Sequence, residues 1–304
     1  MRLPVCKKTN MMVPTHGERL TANPAVVFAL FFPVLLVTQW GRSAVYGLVA
    51  SLLPPGAPAF CHLLIQLFAT VVTVAAVLLY CLLGERRSLS TLGFRKKGLL
   101  SEYVTGLLGG LALFGGAVLL CVACGVLTVS PAETPPAPGI SVLFLLGFLI
   151  QGMSEEMLCR SYLMVSLSRG FPLWLCVVLN ALLFSVLHIG NPGVTAVALI
   201  NIFLFGLFAS MLTLRRGSIW MVGALHSMWN FAQGNLFGIP VSGLTGSPSP
   251  FLSVLKEGRA AELLHGGDFG LEGGLAVTVV MTAACAAALL MPTKRSEIAA
   301  SADV

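Results

Sequence analysis

The chain has 304 residues, of which 57% are hydrophobic and 10% charged, with a formal net charge of +6 at pH 7 and a mean hydropathy of +0.91. A soluble globular domain carries about 25% charged residues, so this composition excludes one and indicates an all-α polytopic membrane protein. Apolar runs separated by short polar joints favour one helical bundle over two independent domains.

Residues 1–23 are polar and basic and delay the first apolar run beyond the reach of a cleaved signal, so they are read as a cytoplasmic tail, with Met11 or Met12 as alternative starts. Apolar runs follow at 24–40, 60–83, 103–129, 140 into the stretch 151–160, 172–188, 194–214, 218–233 and 274–291, which predicts a transmembrane bundle of about eight helices. The count is open by one, because the first run could extend through 44–53 as a bent or interfacial segment. In domain terms the reading gives N-terminal transmembrane helices over 24–139, a core over 140–233, an extracytoplasmic loop over 234–273, a last transmembrane helix over 274–291 and a cytoplasmic tail over 292–304. The loop is rich in Gly, Pro and Ser and is expected to be solvated, with a short helix near 252–264; His16 and His265 are likewise expected in solvent. Gly106 and Gly110, at G-x-x-x-G spacing, predict close helix packing in the third span.

Basic residues give an independent test of this layout, because Lys and Arg gather on the cytoplasmic side of alternate loops. Fifteen of the eighteen, Arg160 among them, fall on one side, against Arg42, Lys256 and Arg259 on the other. That asymmetry predicts an even number of spans with both termini inside, and it accounts for the net charge without a nucleic-acid partner. The eight cysteines are scattered through apolar runs and read as small packing residues rather than as a disulfide framework. Cys121 and Cys124 form a lone C-x-x-C without a second pair or a nearby histidine.

Three polar constellations interrupt the apolar helices. Q-G-M-S-E-E-M-L-C-R at 151–160 places Glu155, Glu156 and Arg160 at the end of an apolar run, where ionisable groups are costly unless paired or in a cavity. On a helix Glu156 and Arg160 stand at i and i+4, with the acid N-terminal, which suits an ion pair, and Glu155 is left about 100° around the axis for other work. F-S-V-L-H puts Phe184 and His188 on one face, and H-S-M-W-N does the same for His226 and Asn230. Counted from the adjoining cytoplasmic turns, Glu155 and His188 come out about 21 and 24 Å deep, and His226 and Asn230 about 14 to 20 Å deep. All four can therefore line one intramembrane cavity. Asn180, Asn201 and Gln233 are read as interhelical hydrogen-bonding residues.

E-E-x-x-x-R at 155–160, F-x-x-x-H at 184–188 and H-x-x-x-N at 226–230, in this order and in successive spans, resemble the motifs of the CPBP family, the CAAX-processing and bacteriocin-processing intramembrane proteases also called type II CAAX prenyl endopeptidases or Abi proteins. W-N-F-A-Q-G-N-L-F-G-I-P-V-S-G, from Trp229, and E-R-R-S-L-S-T-L-G-F, before the third span, are similar to bacterial members. Cys159 and Ser161 depart from the Phe and Gly more usual beside the arginine. The resemblance implies an intramembrane endopeptidase of a bacterial cell (inner) membrane, with a peptide or membrane-protein substrate that is prenylated, secreted or membrane-bound. Membrane lipid is its other partner, and the sequence assigns no oligomeric state. At the matching positions it implies Glu155 as general base for water, His188 as a holder of that water or proton donor to the leaving amine, and His226 and Asn230 as oxyanion donors. Glu156 and Arg160 support the site, and Phe184 backs His188.

Cofactor use stays open between none and zinc. Glu155, His188 and His226 are a conceivable three-ligand set, but H-E-x-x-H is absent and the metal-free reading is preferred. The only aspartates, Asp268 and Asp303, lie outside the spans, which removes an aspartyl dyad. Ser154 lacks a G-x-S-x-G elbow, and Cys159 is expected on the far side of the glutamate helix. Two competing readings keep the same residues: a proton-coupled small transporter, disfavoured by the lack of a repeat, and a non-catalytic immunity or scaffold protein that binds a peptide or partner.

Overall fold

Each apolar run becomes a helix in the computed structural model, which describes residues 9–12 and 23–291. In chain order the helices are α1 (Pro24–Ala50), α2 (Ala59–Gly84), α3 (Leu99–Ala123), α4 (Pro138–Leu167), α5 (Leu173–Val186), α6 (Ala196–Arg216), α7 (Trp220–Phe231), the short α8 (Arg259–His265) and α9 (Leu275–Leu290). Among the described residues α1, α2, α3, α4 and α6 are long and apolar enough to cross a membrane, while α5 and α9 are shorter apolar helices. The protein is an integral membrane protein built as an all-α polytopic bundle. His16 and the basic residues of both expected tails lie outside the described residues.

Local chemistry sets the helix ends. Asn23 Oδ1 accepts from the Ala25 N–H at 2.9 Å ahead of Pro24, and Thr195 Oγ1 accepts from Ala198 N–H at 3.1 Å, each taking up a donor the first turn leaves orphaned. Arg215 and Arg216 sit in the last turn of α6, where they complement its dipole before Gly217 ends it in the left-handed region. The stretch 44–50 joins α1 as one continuous helix with Pro33 inside it, which removes the ambiguity in the first run.

Small residues decide how closely the inner helices approach. A side chain at Gly106 or Gly110 of α3 would meet the backbone of α7 at Met221 and Leu225, and one at Gly152 of α4 would meet Ser227. The G-x-x-x-G face therefore permits the α3–α7 contact as its spacing predicts. Thus α7 lies between α3 and α4, α6 carries α5 and α9, α2 packs on α4, and α1 packs chiefly on α2.

Two expectations fail beyond the bundle. Residues 127–129 do not extend α3: after Gly125, at φ 67°, the chain enters β1 (Leu127–Pro131), which pairs antiparallel with β2 (Phe251–Leu255), Leu127 opposite Leu255. Helix was expected at both places, since short apolar runs do not separate strand from helix by periodicity. The segment 234–273 is also no solvated loop. Phe269 and Leu271 are buried in the main core, and His265 is buried, with Nε2 against the Lys256 carbonyl at 2.9 Å. Its Gly and Pro content produces tight packed turns rather than exposure. A third correction concerns charge: Arg160, taken above as a cytoplasmic marker, is sealed inside the bundle.

Candidate active site

Glu155 and Glu156 are adjacent in sequence and lie in opposite environments. Glu156 has 0% side-chain exposure and Glu155 has 28%, so one carboxylate belongs to the packed interior and the other opens on a cavity. The helical offset between neighbouring residues produces this divergence. Directly after Glu156 the helix widens into π turns over Met157–Met164, a feature frequent at functional sites. From within these turns Arg160 Nη1 donates to Glu156 Oε1 at 3.0 Å and Nη2 donates to the Gly206 carbonyl at 3.3 Å. The guanidinium carbon stands 4.5 Å from the centroid of the Phe184 ring, so Arg160 meets a carboxylate, a carbonyl and an aromatic face, while its buried Nε has no hydrogen-bond partner among the described residues.

Both histidines are fixed through Nδ1. His226 Nδ1 lies 2.8 Å from Glu156 Oε1, and because a carboxylate only accepts, the proton in that bond belongs to the ring. His226 Nε2 then faces Glu155 Oε2 at 3.8 Å. Rings of Phe205, at 4.9 Å between centroids, and Phe184, at 6.0 Å, hold the imidazole edge-on. His188 Nδ1 lies 2.8 Å from the Phe184 carbonyl, which leaves the Nε2 lone pair of the neutral ring available. The sequence placed His188 at the end of a helix, but α5 ends at Val186 and His188 stands in the turn beyond it. The expected pairing with Phe184 holds regardless, with ring centroids 4.9 Å apart.

A second chain of hydrogen bonds reaches Glu155 from α7. Asn230 Nδ2 donates to Gln151 Oε1 at 2.9 Å, and Gln151 Nε2 donates to Glu155 Oε1 at 2.6 Å. Gln151 lies one turn before Glu155 on the same face of α4, a spacing that sequence reasoning had available and did not use. Asn230 retains a second N–H for another acceptor.

Glu155, His188, His226 and Asn230 all line one cavity of about 290 Å³. Its wall also holds Cys159, which was expected on the far side of the helix, and three residues that sequence reasoning left outside the site: Gln151, Arg42 and Glu272. Arg42, assigned above to an outer loop, lies within α1 and interacts electrostatically with Glu155. Glu272 pins the 234–273 segment across the bundle: its carboxylate accepts from Trp229 Nε1 at 3.0 Å and from the Ser242 N–H and hydroxyl at 2.9 and 2.7 Å. Asn180 and Asn201 make the interhelical bonds expected of them, whereas Gln233 ties the 234–273 segment to the end of α7 instead of joining two helices. Asn180 Nδ2 donates to Ser210 Oγ at 2.8 Å, Asn201 bridges Glu272, Gly274 and Thr278, and Gln233 donates to the Pro240 carbonyl.

Zinc would need three donors within about 2.0–2.2 Å of one point. Among the described residues no three His, Cys, Asp or Glu side chains gather in that way, so Glu155, His188 and His226 do not form the ligand set considered from sequence. His226 is instead oriented by Glu156, and Glu155 by Gln151. This arrangement does not fit a three-ligand metal centre.

No curated protein matches the chain. The segment that carries all three polar motifs does match a family: residues 137–232, spanning α4 to α7, fit the family model described as type II CAAX prenyl endopeptidase Rce1-like, which agrees with the CPBP family that the motifs resemble.

Proposed function

We propose that the protein is an intramembrane endopeptidase that hydrolyses a peptide bond in a membrane-associated, prenylated or secreted peptide. One observation carries this reading: Glu155 Oε2 and His226 Nε2 face each other at 3.8 Å across a cavity that His188 and Asn230 also line. In the proposed reaction Glu155 takes a proton from water as the oxygen attacks the scissile carbonyl. The resulting oxyanion accepts from the second N–H of Asn230 and from His226 Nε2 in its imidazolium form. Glu156 and Arg160 hold the His226 ring in place from behind, as an orienting carboxylate does in other hydrolases. His188 Nε2 accepts a hydrogen bond from the same water, takes the second of its protons and passes it to the leaving amine as the tetrahedral intermediate collapses, and the proton held by Glu155 then goes to the released amine, which restores the carboxylate. No step draws on a metal.

The basic-residue asymmetry supports an orientation with both termini cytoplasmic, and the resemblance to bacterial members supports a bacterial cell membrane. The same topology gives the cytoplasmic tails 1–23 and 292–304 and places 234–273 on the outer face.

Reconstituted protein is expected to cleave peptides from a mixed library. His188→Ala, His226→Ala and Asn230→Ala are each expected to slow cleavage by roughly 10²- to 10³-fold while leaving thermal unfolding close to that of the wild type. Unchanged rates in His188→Ala and His226→Ala together would remove the assignment. Comparing the membrane proteome and secreted peptides of cells carrying wild-type or Glu155→Ala protein would identify the substrate.

A further inference from the structure

The cavity has a second polar wall, outside the matched segment. It comes from α1 and α2 and includes Gln39, Arg42, Gln66 and Thr73. Among the described residues that line the cavity, Arg42 is the single Lys or Arg. The two helices touch where Gly41 meets Val72, one residue before Arg42 and Thr73 in each. Gln39 precedes Arg42 by three residues, on the same face of α1. Thr73 is only 3% exposed, and its hydroxyl has no hydrogen-bond partner among the described residues.

A guanidinium in a half-closed apolar bundle is costly unless an anion answers it. Glu155 acts on Arg42 through space, but its oxygens are directed elsewhere, one to Gln151 and the other toward His226 Nε2. Among the described residues Arg42 has no hydrogen-bonded or ion-paired carboxylate, so its planar donor fork remains available within the cavity. That fork matches a carboxylate bidentately, and the neighbouring amides and hydroxyl supply donors around it.

We infer that Arg42, flanked by Gln39, Gln66 and Thr73, forms a subsite for a carboxylate of the bound peptide, either its C-terminus or an acidic side chain, held beside the Glu155 cleavage point. The inference rests on the peptidase reading for its location but makes a separate claim about binding. A residue acting only as countercharge to Glu155 would affect every peptide alike, whereas a subsite discriminates between peptides with and without the carboxylate.

The test uses a fluorescent hexapeptide library randomised among apolar residues and made in three forms: C-terminal acid, C-terminal amide, and amide with one glutamate among the last three positions. Binding and cleavage are measured on full-length protein in nanodiscs, for wild type, Arg42→Met and Arg42→Lys, with thermal unfolding as the folding check. One or both carboxylate forms should bind wild type at least about tenfold more tightly than the plain amide, as a charge-assisted pair does. Arg42→Met should erase that preference and Arg42→Lys should retain part of it. The form preferred identifies the source of the carboxylate. Arg42→Gln replaces the methionine variant if the latter does not fold. Equal binding of all three forms by wild type, equal weakening of all three in Arg42→Met, or no binding of any form would overturn the subsite. Arg42-dependent preference without cleavage of any form would leave the subsite standing and remove the peptidase reading.

Discussion

Helices α1 and α4 have similar length and apolarity, 27 and 30 residues at mean hydropathies of 1.8 and 1.5, yet the most apolar window is 17% buried in α1 and 56% in α4. Both are apolar for different reasons. Val37 and Leu36 of α1 face outward, 59% and 52% exposed, where lipid is the solvent. Residues 157–165 of α4 are buried without interruption, Arg160 and Ser161 included, so protein rather than lipid surrounds that run. Polar groups follow the same division. The buried helix carries an ion pair closed by packing, and the outer one carries a cation that opens on the cavity.

This contrast predicts a gradient of mutational effects. Arg160→Met should be the most damaging to stability, by about 3–5 kcal/mol, because it leaves the buried Glu156 carboxylate without its guanidinium and held by His226 Nδ1 alone. The double change Glu156→Gln with Arg160→Met should restore much of that loss without restoring cleavage, since His226 would still lack its orienting carboxylate. Denaturation in detergent reads the first effect and peptide cleavage the second. A double variant no more stable than Arg160→Met would show that the pair is not the coupled unit described here.

Gly110→Leu should cost less, about 1–3 kcal/mol, by forcing α3 away from the α7 backbone at Leu225. Thermal unfolding of Gly110→Leu beside Gly115→Leu sharpens the comparison, because Gly115 of the same helix has open space around it. Val37→Ala on α1 should fall within about 0.5 kcal/mol of wild type. A large loss there would mean that α1 is covered by something other than lipid.

Hydropathy made all eight apolar helices legible, because each run is long enough to outlast its ambiguities. It could not separate α1 from α4, since facing lipid and facing protein demand the same apolar composition. Strands β1 and β2 escaped notice because five-residue apolar stretches fit either period and their partners are more than a hundred residues apart. In the site, Glu155, Glu156, Arg160, Phe184, His188, His226 and Asn230 were legible because helical spacing places each pair on one face. The bond from His226 to Glu156 was not, since it joins residues 70 apart through the contact of α4 with α7. Arg42 falls between the apolar run 24–40 and the stretch 44–53, so counting charges by side assigned it to topology rather than to the cavity.

Hydrolysis in ¹⁸O-enriched water tests the central claim most directly. Reconstituted wild type should place one ¹⁸O in the new carboxylate of a cleaved library peptide, and Glu155→Gln, folded to the same melting temperature, should slow this incorporation by roughly 10²- to 10⁴-fold. Incorporation at the wild-type rate in Glu155→Gln, or no incorporation by wild type, would contradict it.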